Sequence, residues 1–175
     1  MNSKIVLCGV LWLASSAVPA SLFAQAADNP SVTAQLNAAK PLVAKIKKDA
    51  VEMQSFSAGS GPGWETHAKS LDRIKADVNK LQENMRGLQS HRTTASAWQQ
   101  DAIDRVTALA NDLATNMNSA IDHLNKSKSR PTAAPYPDYL KANTRIANDL
   151  GDEIDATIDY GQAKATADSL GKQLD

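Results

Sequence analysis

The segment WETHAKSLDRIKADVNKLQENMRGLQS, residues 64–90, carries the most regular hydrophobic pattern in the chain. Its core positions recur at spacings of four and three residues in strict alternation, and the first of them is a histidine. They are His67, Leu71, Ile74, Val78, Leu81, Met85 and Leu88. This spacing places all seven side chains on one face of an α-helix. The segment therefore predicts an amphipathic helix from about Trp64 to Ser90 that packs against other helices.

The same spacing appears upstream, where Asn29 is a suitable N-cap and Pro30 is tolerated in a first helical turn. The predicted stripe of this first helix is Val32, Leu36, Ala39, Val43, Ile46, Ala50 and Met53. Pro41 lies inside the pattern and removes a backbone donor, so we expect either a kink or a late start near Lys40.

A third helix is predicted to begin after Thr94 or Ser96, where Ser96 and Gln99 have the spacing of a capping box. Its expected core face is Ala102, Val106, Leu109, Leu113, Met117, Ala120 and Leu124, widened by Ile103 and Ile121. A fourth helix is expected from about Asp138 onward. Its stripe is Tyr139, Ile146, Leu150, Ile154 and Ile158. Beyond Gly161 the stripe thins to alanines, which predicts a frayed end.

Two polar segments separate these helices and are predicted loops. Residues 57–63 contain three glycines and a proline, and residues 125–137 are polar and rich in proline. Four amphipathic helices without a strand pattern predict an all-α fold, most simply an antiparallel up-down-up-down four-helix bundle. A pair of coiled-coil hairpins that dimerises would give the same stripes and is the alternative.

The N-terminus has the organisation of a secretory signal peptide, which we assign to residues 1–26. Lys4 supplies a positive charge, Ile5 to Val18 is almost wholly apolar, and Ala24-Gln25-Ala26 offers small residues at the −3 and −1 positions. Cleavage after Ala26 would leave residues 27–175 as one bundle domain, periplasmic or secreted. The apolar run is shorter than the ~20 residues that span a bilayer, which makes a retained anchor the less favoured alternative.

Composition excludes several classes of function. The only cysteine is Cys8, so residues 27–175 cannot form disulfides, thiolate metal sites or a covalently attached c-type haem. Lysine and arginine number 19, as do the acids, and this balance gives no attraction to nucleic acid. No later apolar run approaches membrane length, so the mature protein should not span a membrane.

Catalytic and metal motifs are not found in the sequence. The chain has four glutamates and no Glu-x-x-His pair, so a di-iron bundle site is excluded. It has no phosphate-binding loop, no His-Glu-x-x-His and no nucleophile elbow. The acids of the fourth helix (Asp149, Asp152, Glu153, Asp155 and Asp159) are expected on a solvated face, paired with Lys45, Lys47 and Lys48. We therefore predict no catalytic site, metal site or cofactor.

One end of the predicted bundle nevertheless gathers polar and aromatic side chains. Antiparallel alignment of the second and third helices brings His67 level with residues 121–124, near the end of the first helix and the start of the fourth. The group is Met53, Phe56, Trp64, His67, His123 and Tyr139. An aromatic bundle end with a hydrogen-bonded histidine is the simpler interpretation. The alternative is a b-type haem or metal carrier that uses His67 with Met53 or His123 as ligands.

Residues 98–105, WQQDAIDR, together with residues 121–125 and 136–139, resemble a set of exported bacterial helical-bundle proteins without an assigned function. The resemblance implies a helical bundle outside the cytoplasm and carries over no active residue. We expect a structural or interaction protein that binds another envelope protein or itself. Trp98 and Tyr136 are the expected exposed anchors.

Overall fold

The computed structural model describes residues 27–57 and 62–174, and this part of the chain is all-α. It consists of α1 (Pro30–Ser55), α2 (Trp64–Ser90), α3 (Ala97–Lys126) and α4 (Tyr136–Leu174), with a short 3₁₀ turn at Arg92–Thr94. The predicted signal peptide and the centre of the predicted glycine-rich loop lie outside the described residues. No helix in the described ranges is long and apolar enough to cross a membrane.

The helices form the predicted antiparallel four-helix bundle. Gln35 near the start of α1 accepts a hydrogen bond from Asn84 near the end of α2, whereas Asp49 near the end of α1 meets Arg73 earlier in α2. Each helix packs on its neighbours in sequence, and α1 also packs on α4. Because the ring of four helices closes within one chain, the core needs no second hairpin pair.

The predicted stripes of α1 and α2 are confirmed, since all seven positions of each are buried. In α3 the seven-residue stripe is wrong at one position, and Ile121, which was expected to widen it, is only partly buried. Leu109 is half-buried and the adjacent Ala110 occupies the core. The amide of Gln82 on α2 donates to the Ala110 carbonyl at 2.8 Å, and the small alanine side chain leaves room for α2 at this point.

The start of α1 is also confirmed, because the Asn29 side chain accepts a hydrogen bond from the Ser31 amide at 2.9 Å. A late start near Lys40 is not observed, and α1 runs continuously through the exposed Pro41. The Gln99 side chain caps the start of α3 by accepting a hydrogen bond from the Ser96 amide at 3.3 Å.

The fourth helix differs most from its prediction. It begins at Tyr136, two residues early, and it remains helical to Leu174 instead of fraying after Gly161. With 39 residues it is nine longer than α3. Its acids only partly pair as expected: Lys47 lies 3.6 Å from Asp152, but Lys45 pairs at 2.6 Å with Asp77 of α2.

Candidate functional site

The end of the bundle that the sequence singled out is an assembled cluster, here named the histidine pole. The end of α1, the start of α2, the end of α3 and the start of α4 meet there. Its members are Phe56, Trp64, His67, His123, Tyr136 and Tyr139.

His67 lies at the centre of the histidine pole and is fully buried, with 0% of its surface exposed. Its Nδ1 lies 3.0 Å from the Tyr136 hydroxyl, the one hydrogen bond of its side chain within the described residues. The imidazole also packs edge-on against Phe56 at 5.5 Å and Tyr136 at 5.3 Å between ring centroids. Where a leucine would be expected in the α2 stripe, the structure thus has an imidazole ring with one polar partner.

The second ring nitrogen of His67, Nε2, is buried and without a hydrogen-bond partner in the part of the chain that the structure describes. Burial lowers the pKa of His67 because the charged ring would lose its hydration. The Pro62 carbonyl works in the opposite direction without completing a hydrogen bond of ordinary geometry. His67 is therefore a neutral imidazole at neutral pH, with Nδ1 engaged and Nε2 unpaired among residues 27–57 and 62–174.

Tyr136 connects the two histidines. It is fully buried, and burial raises the pKa of its hydroxyl far above the ordinary value, so the phenol stays protonated. The ring stacks on His123 at 5.7 Å with an interplanar angle of 22°. The Nε2 atom of His123 is also buried and unpartnered among the described residues. The expectation that Tyr136 is an exposed anchor is wrong, because this side chain is the largest one fully enclosed by the bundle.

The connection between α3 and α4 covers the rim of the histidine pole. The Lys128 ammonium lies 4.6 Å from the centroid of the Trp64 ring, a distance typical of a cation–π contact. This contact places a positive charge near the cluster. An ammonium group only donates hydrogen bonds, so Lys128 cannot accept one from a histidine N–H.

The structure brings His67 and His123 against the same tyrosine and buries Met53 in the adjoining core. In residues 27–57 and 62–174, no group of three or more histidine, cysteine or acidic side chains converges as a metal site would require. The haem hypothesis for His67, His123 and Met53 stays a prediction. The Tyr136 hydroxyl, which is the hydrogen-bond partner of His67, has a raised pKa and is therefore a poor nucleophile.

The opposite end of the bundle has a different chemistry and is here named the tryptophan pole: Asp28, Trp98, Tyr160 and Lys164. The half-buried Trp98 donates its indole hydrogen to Asp28 at 2.7 Å and packs edge-on against Tyr160 at 5.1 Å. Lys164 lies 3.4 Å from Asp28. Trp98 is thus the one predicted anchor that stays accessible.

Beyond the tryptophan pole, α4 continues as an extension without packing partners in the described chain. Every side chain from Ala165 to Leu174 is exposed. The exposed fractions of the apolar residues are 53% for Tyr160, 56% for Leu170 and 88% for Leu174. The sequence pattern did not single out this surface, because its alanines weaken the hydrophobic periodicity.

A groove of about 540 Å³ lies between α1 and α4, where Pro41, Ala44 and Gly151 leave space. Ion pairs flank it, with Lys40 at 2.7 Å from Asp155 and Lys47 at 3.6 Å from Asp152. Because its charges are already paired, the groove carries no net charge that would select a ligand.

Comparison with protein-family models, with curated proteins and with solved structures finds no match to this chain. The described residues define the class of the protein as an antiparallel four-helix bundle with a buried histidine–tyrosine end and an extended last helix. The resemblance to exported bundle proteins remains a prediction.

Proposed function

We propose that this protein is an exported, non-catalytic interaction module that binds a helical partner through the exposed end of α4. The observation that carries the proposal is the α4 extension. It exposes Leu170 and Leu174 to solvent on a part of the helix that extends beyond the bundle. Contiguous exposed apolar patches commonly mark interaction sites on soluble proteins.

Export is supported by the signal-peptide organisation of residues 1–26. Intact-mass measurement on protein recovered from the cell envelope tests this part. A chain that starts at Ala27 is the expected result. A mass for all 175 residues, recovered from membranes, would instead indicate a retained anchor.

The interaction is tested by a photo-crosslinking amino acid at position 170, in cells that produce the full chain. A matched control carries the same amino acid at position 165, which is also exposed but lies on another face of α4. A discrete adduct from position 170 and none from position 165 is expected. Equal or absent labelling at both positions would count against a docking face on α4.

A second candidate function, a b-type haem or metal carrier, is favoured by one observation on His67. Its Nδ1 is held by the Tyr136 hydroxyl while its Nε2 is unpartnered in the described chain. This is the arrangement of a ligating imidazole, in which one nitrogen is oriented by a hydrogen bond and the other binds the metal. His123 or Met53 would supply the second ligand.

Titration with hemin tests this second candidate by absorbance. A Soret band that His67→Leu abolishes and that His91→Leu retains would support it, because His91 lies in the turn between α2 and α3. A protein that gains no band on adding hemin would remove it.

A further inference from the structure

Apolar side chains along the last part of α4, from Tyr160 into the extension, lie on one face that is here named the terminal stripe: Tyr160, Ala163, Ala167, Leu170 and Leu174. Their spacings alternate between three and four residues. At roughly 100° per residue they fall within an arc of roughly 80° around the helix. This is the seam that a helix presents to another helix in a coiled coil.

Apart from the Tyr160 ring, which packs against Trp98, the terminal stripe points away from the bundle to which α4 belongs. The buried positions Leu150, Ile154 and Ile158 lie roughly 150° around the helix from the stripe. Upstream, the same outer face carries Arg145, Asp149 and Asp152, which are charged. The apolar character is therefore confined to the last part of α4, where the extension leaves the bundle.

Two charged residues that flank the terminal stripe indicate which helix pairs with it. If Tyr160 and Ala167 occupy a positions, Asp159 is a g position and Lys164 is the following e position. In a parallel two-stranded coiled coil, g of one helix faces the next e of its partner. Asp159 makes no ion pair within the described chain, whereas Lys164 lies 2.7 Å from Asp168 and 3.4 Å from Asp28 of its own chain. These partly exposed ion pairs are weak, so Lys164 can share or exchange them when it meets Asp159 of an identical helix.

We infer, on the basis of the proposed function, that the partner of the terminal stripe is a second copy of this chain, paired parallel along α4. The seam and its flanking charges are self-complementary in that arrangement. Because each bundle lies roughly 150° from the seam, the two bundles occupy opposite sides of the paired helices. The pairing also stabilises the segment Ala165–Leu174, which would form only a marginal helix in water by itself.

This dimer is weak and depends on concentration. A stable interface buries about 800 Å² per partner, and a seam of five side chains, two of them alanine, offers less. Analytical ultracentrifugation of the full chain over a wide concentration range should show monomer converting to dimer. A monomer at every concentration would overturn the inference.

Two charge-matched variants locate the interface. Leu170→Glu with Leu174→Glu should abolish the dimer, while Ala165→Glu with Ser169→Glu, on the opposite face, should leave it intact. All four positions are exposed, so neither variant should unfold the bundle. Equal dimerisation by both variants would overturn the inference.

Orientation is tested with single cysteines, because Cys8 is the only native one. In a Cys8→Ser chain, Leu174→Cys should form an intermolecular disulfide, since equal positions of parallel helices are adjacent. Ala167→Cys, at the middle of the seam, should crosslink in either orientation. Crosslinking at 167 without crosslinking at 174 would overturn the parallel arrangement.

The crosslinker at position 170 separates this inference from the proposed function. An adduct at twice the mass of the chain supports the dimer. Adducts only with other proteins overturn the dimer and leave the interaction module standing. The absence of any adduct overturns both.

Discussion

The two ends of the bundle both contain aromatic side chains, but they differ in how far these side chains are buried and in which groups bind them. At the histidine pole the aromatic side chains are enclosed, and His67 depends on one neutral hydrogen bond to Tyr136. At the tryptophan pole Trp98 and Tyr160 stay partly exposed, and the indole is held by the carboxylate of Asp28.

This difference determines which perturbation each end resists. A polar atom that loses its partner in a dry interior is costly, whereas charges near water are weakened mainly by salt. Substitution and acid should therefore act on the histidine pole, and ionic strength on the tryptophan pole. Trp64 and Trp98 provide one fluorescent reporter for each end of the described chain.

The largest effect is expected from Val78→Asp, which should unfold the bundle and thereby disrupt both poles together. Val78 is buried in the α2 stripe between them, and an unpaired carboxylate there should cost several kcal/mol and unfold the bundle. Lys75→Asp, on the exposed face of the same helix, should change stability by about 0.5 kcal/mol. Similar melting temperatures by circular dichroism for the two variants would contradict the assigned core face.

The histidine pole should be more sensitive than the tryptophan pole to loss of a tyrosine hydroxyl. Tyr136→Phe leaves Nδ1 of His67 buried without a partner and should lower the free energy of unfolding in urea by about 1–3 kcal/mol. Tyr160→Phe, at an exposed ring, should change it by at most about 0.5 kcal/mol.

A double variant sharpens this result. His67→Leu combined with Tyr136→Phe removes both members of the hydrogen bond, so it should be less destabilised than Tyr136→Phe alone. If the double variant is the less stable of the two, the packing of the ring outweighs its hydrogen bond.

As the pH falls, the histidine pole should respond before the tryptophan pole. The pKa of His67 is lowered by burial from 6.5, so the unfolded chain binds a proton more readily than the folded one. Its contribution to stability is complete above pH 6.5 and is lost as the pH falls through the lower pKa of the folded state. At the other end, burial would raise the pKa of Asp28, but the hydrogen bond from Trp98 and the charge of Lys164 hold it below 3.8. Asp28 therefore keeps its charge until much lower pH.

Urea unfolding at several pH values between 7.5 and 4.5 measures the effect. The loss of stability with acid should diminish in His67→Leu and persist in His91→Leu. Trp64 fluorescence, followed in chains with Trp12→Phe and Trp98→Phe, should respond at higher pH than Trp98 fluorescence followed with Trp12→Phe and Trp64→Phe. An unchanged pH dependence in His67→Leu would show that another group is responsible.

The smallest effect is expected from salt at the tryptophan pole. Asp28→Asn weakens the contacts to Trp98 and Lys164, and should cost about 0.2–1 kcal/mol at low ionic strength and less at high salt. Asp72→Asn, at an exposed acid outside the described ion pairs, is the control. A salt-independent loss in Asp28→Asn would mean that its role is packing.

Local signals in the sequence were enough for most of the fold. The bounds of α2, the cap at Asn29 and the buried stripes of α1 and α2 depend on residues within a few turns of one another. A capping side chain reaches only its own first turn, and a helical stripe is defined by its spacing alone. The gathering of His67 and His123 at one end also followed, because short loops force neighbouring helices to run antiparallel.

What only the tertiary structure decided concerns the exact neighbours of each side chain. From the sequence, Tyr136 is expected to be part of a proline-rich loop. Its burial depends on how the start of α4 packs between His67 and His123. The choice of Ala110 over Leu109, and of Asp77 as the partner of Lys45, depends on how closely adjacent helices approach. Periodicity determines which face of a helix is buried, but the rotation and separation of packed helices determine which atoms meet.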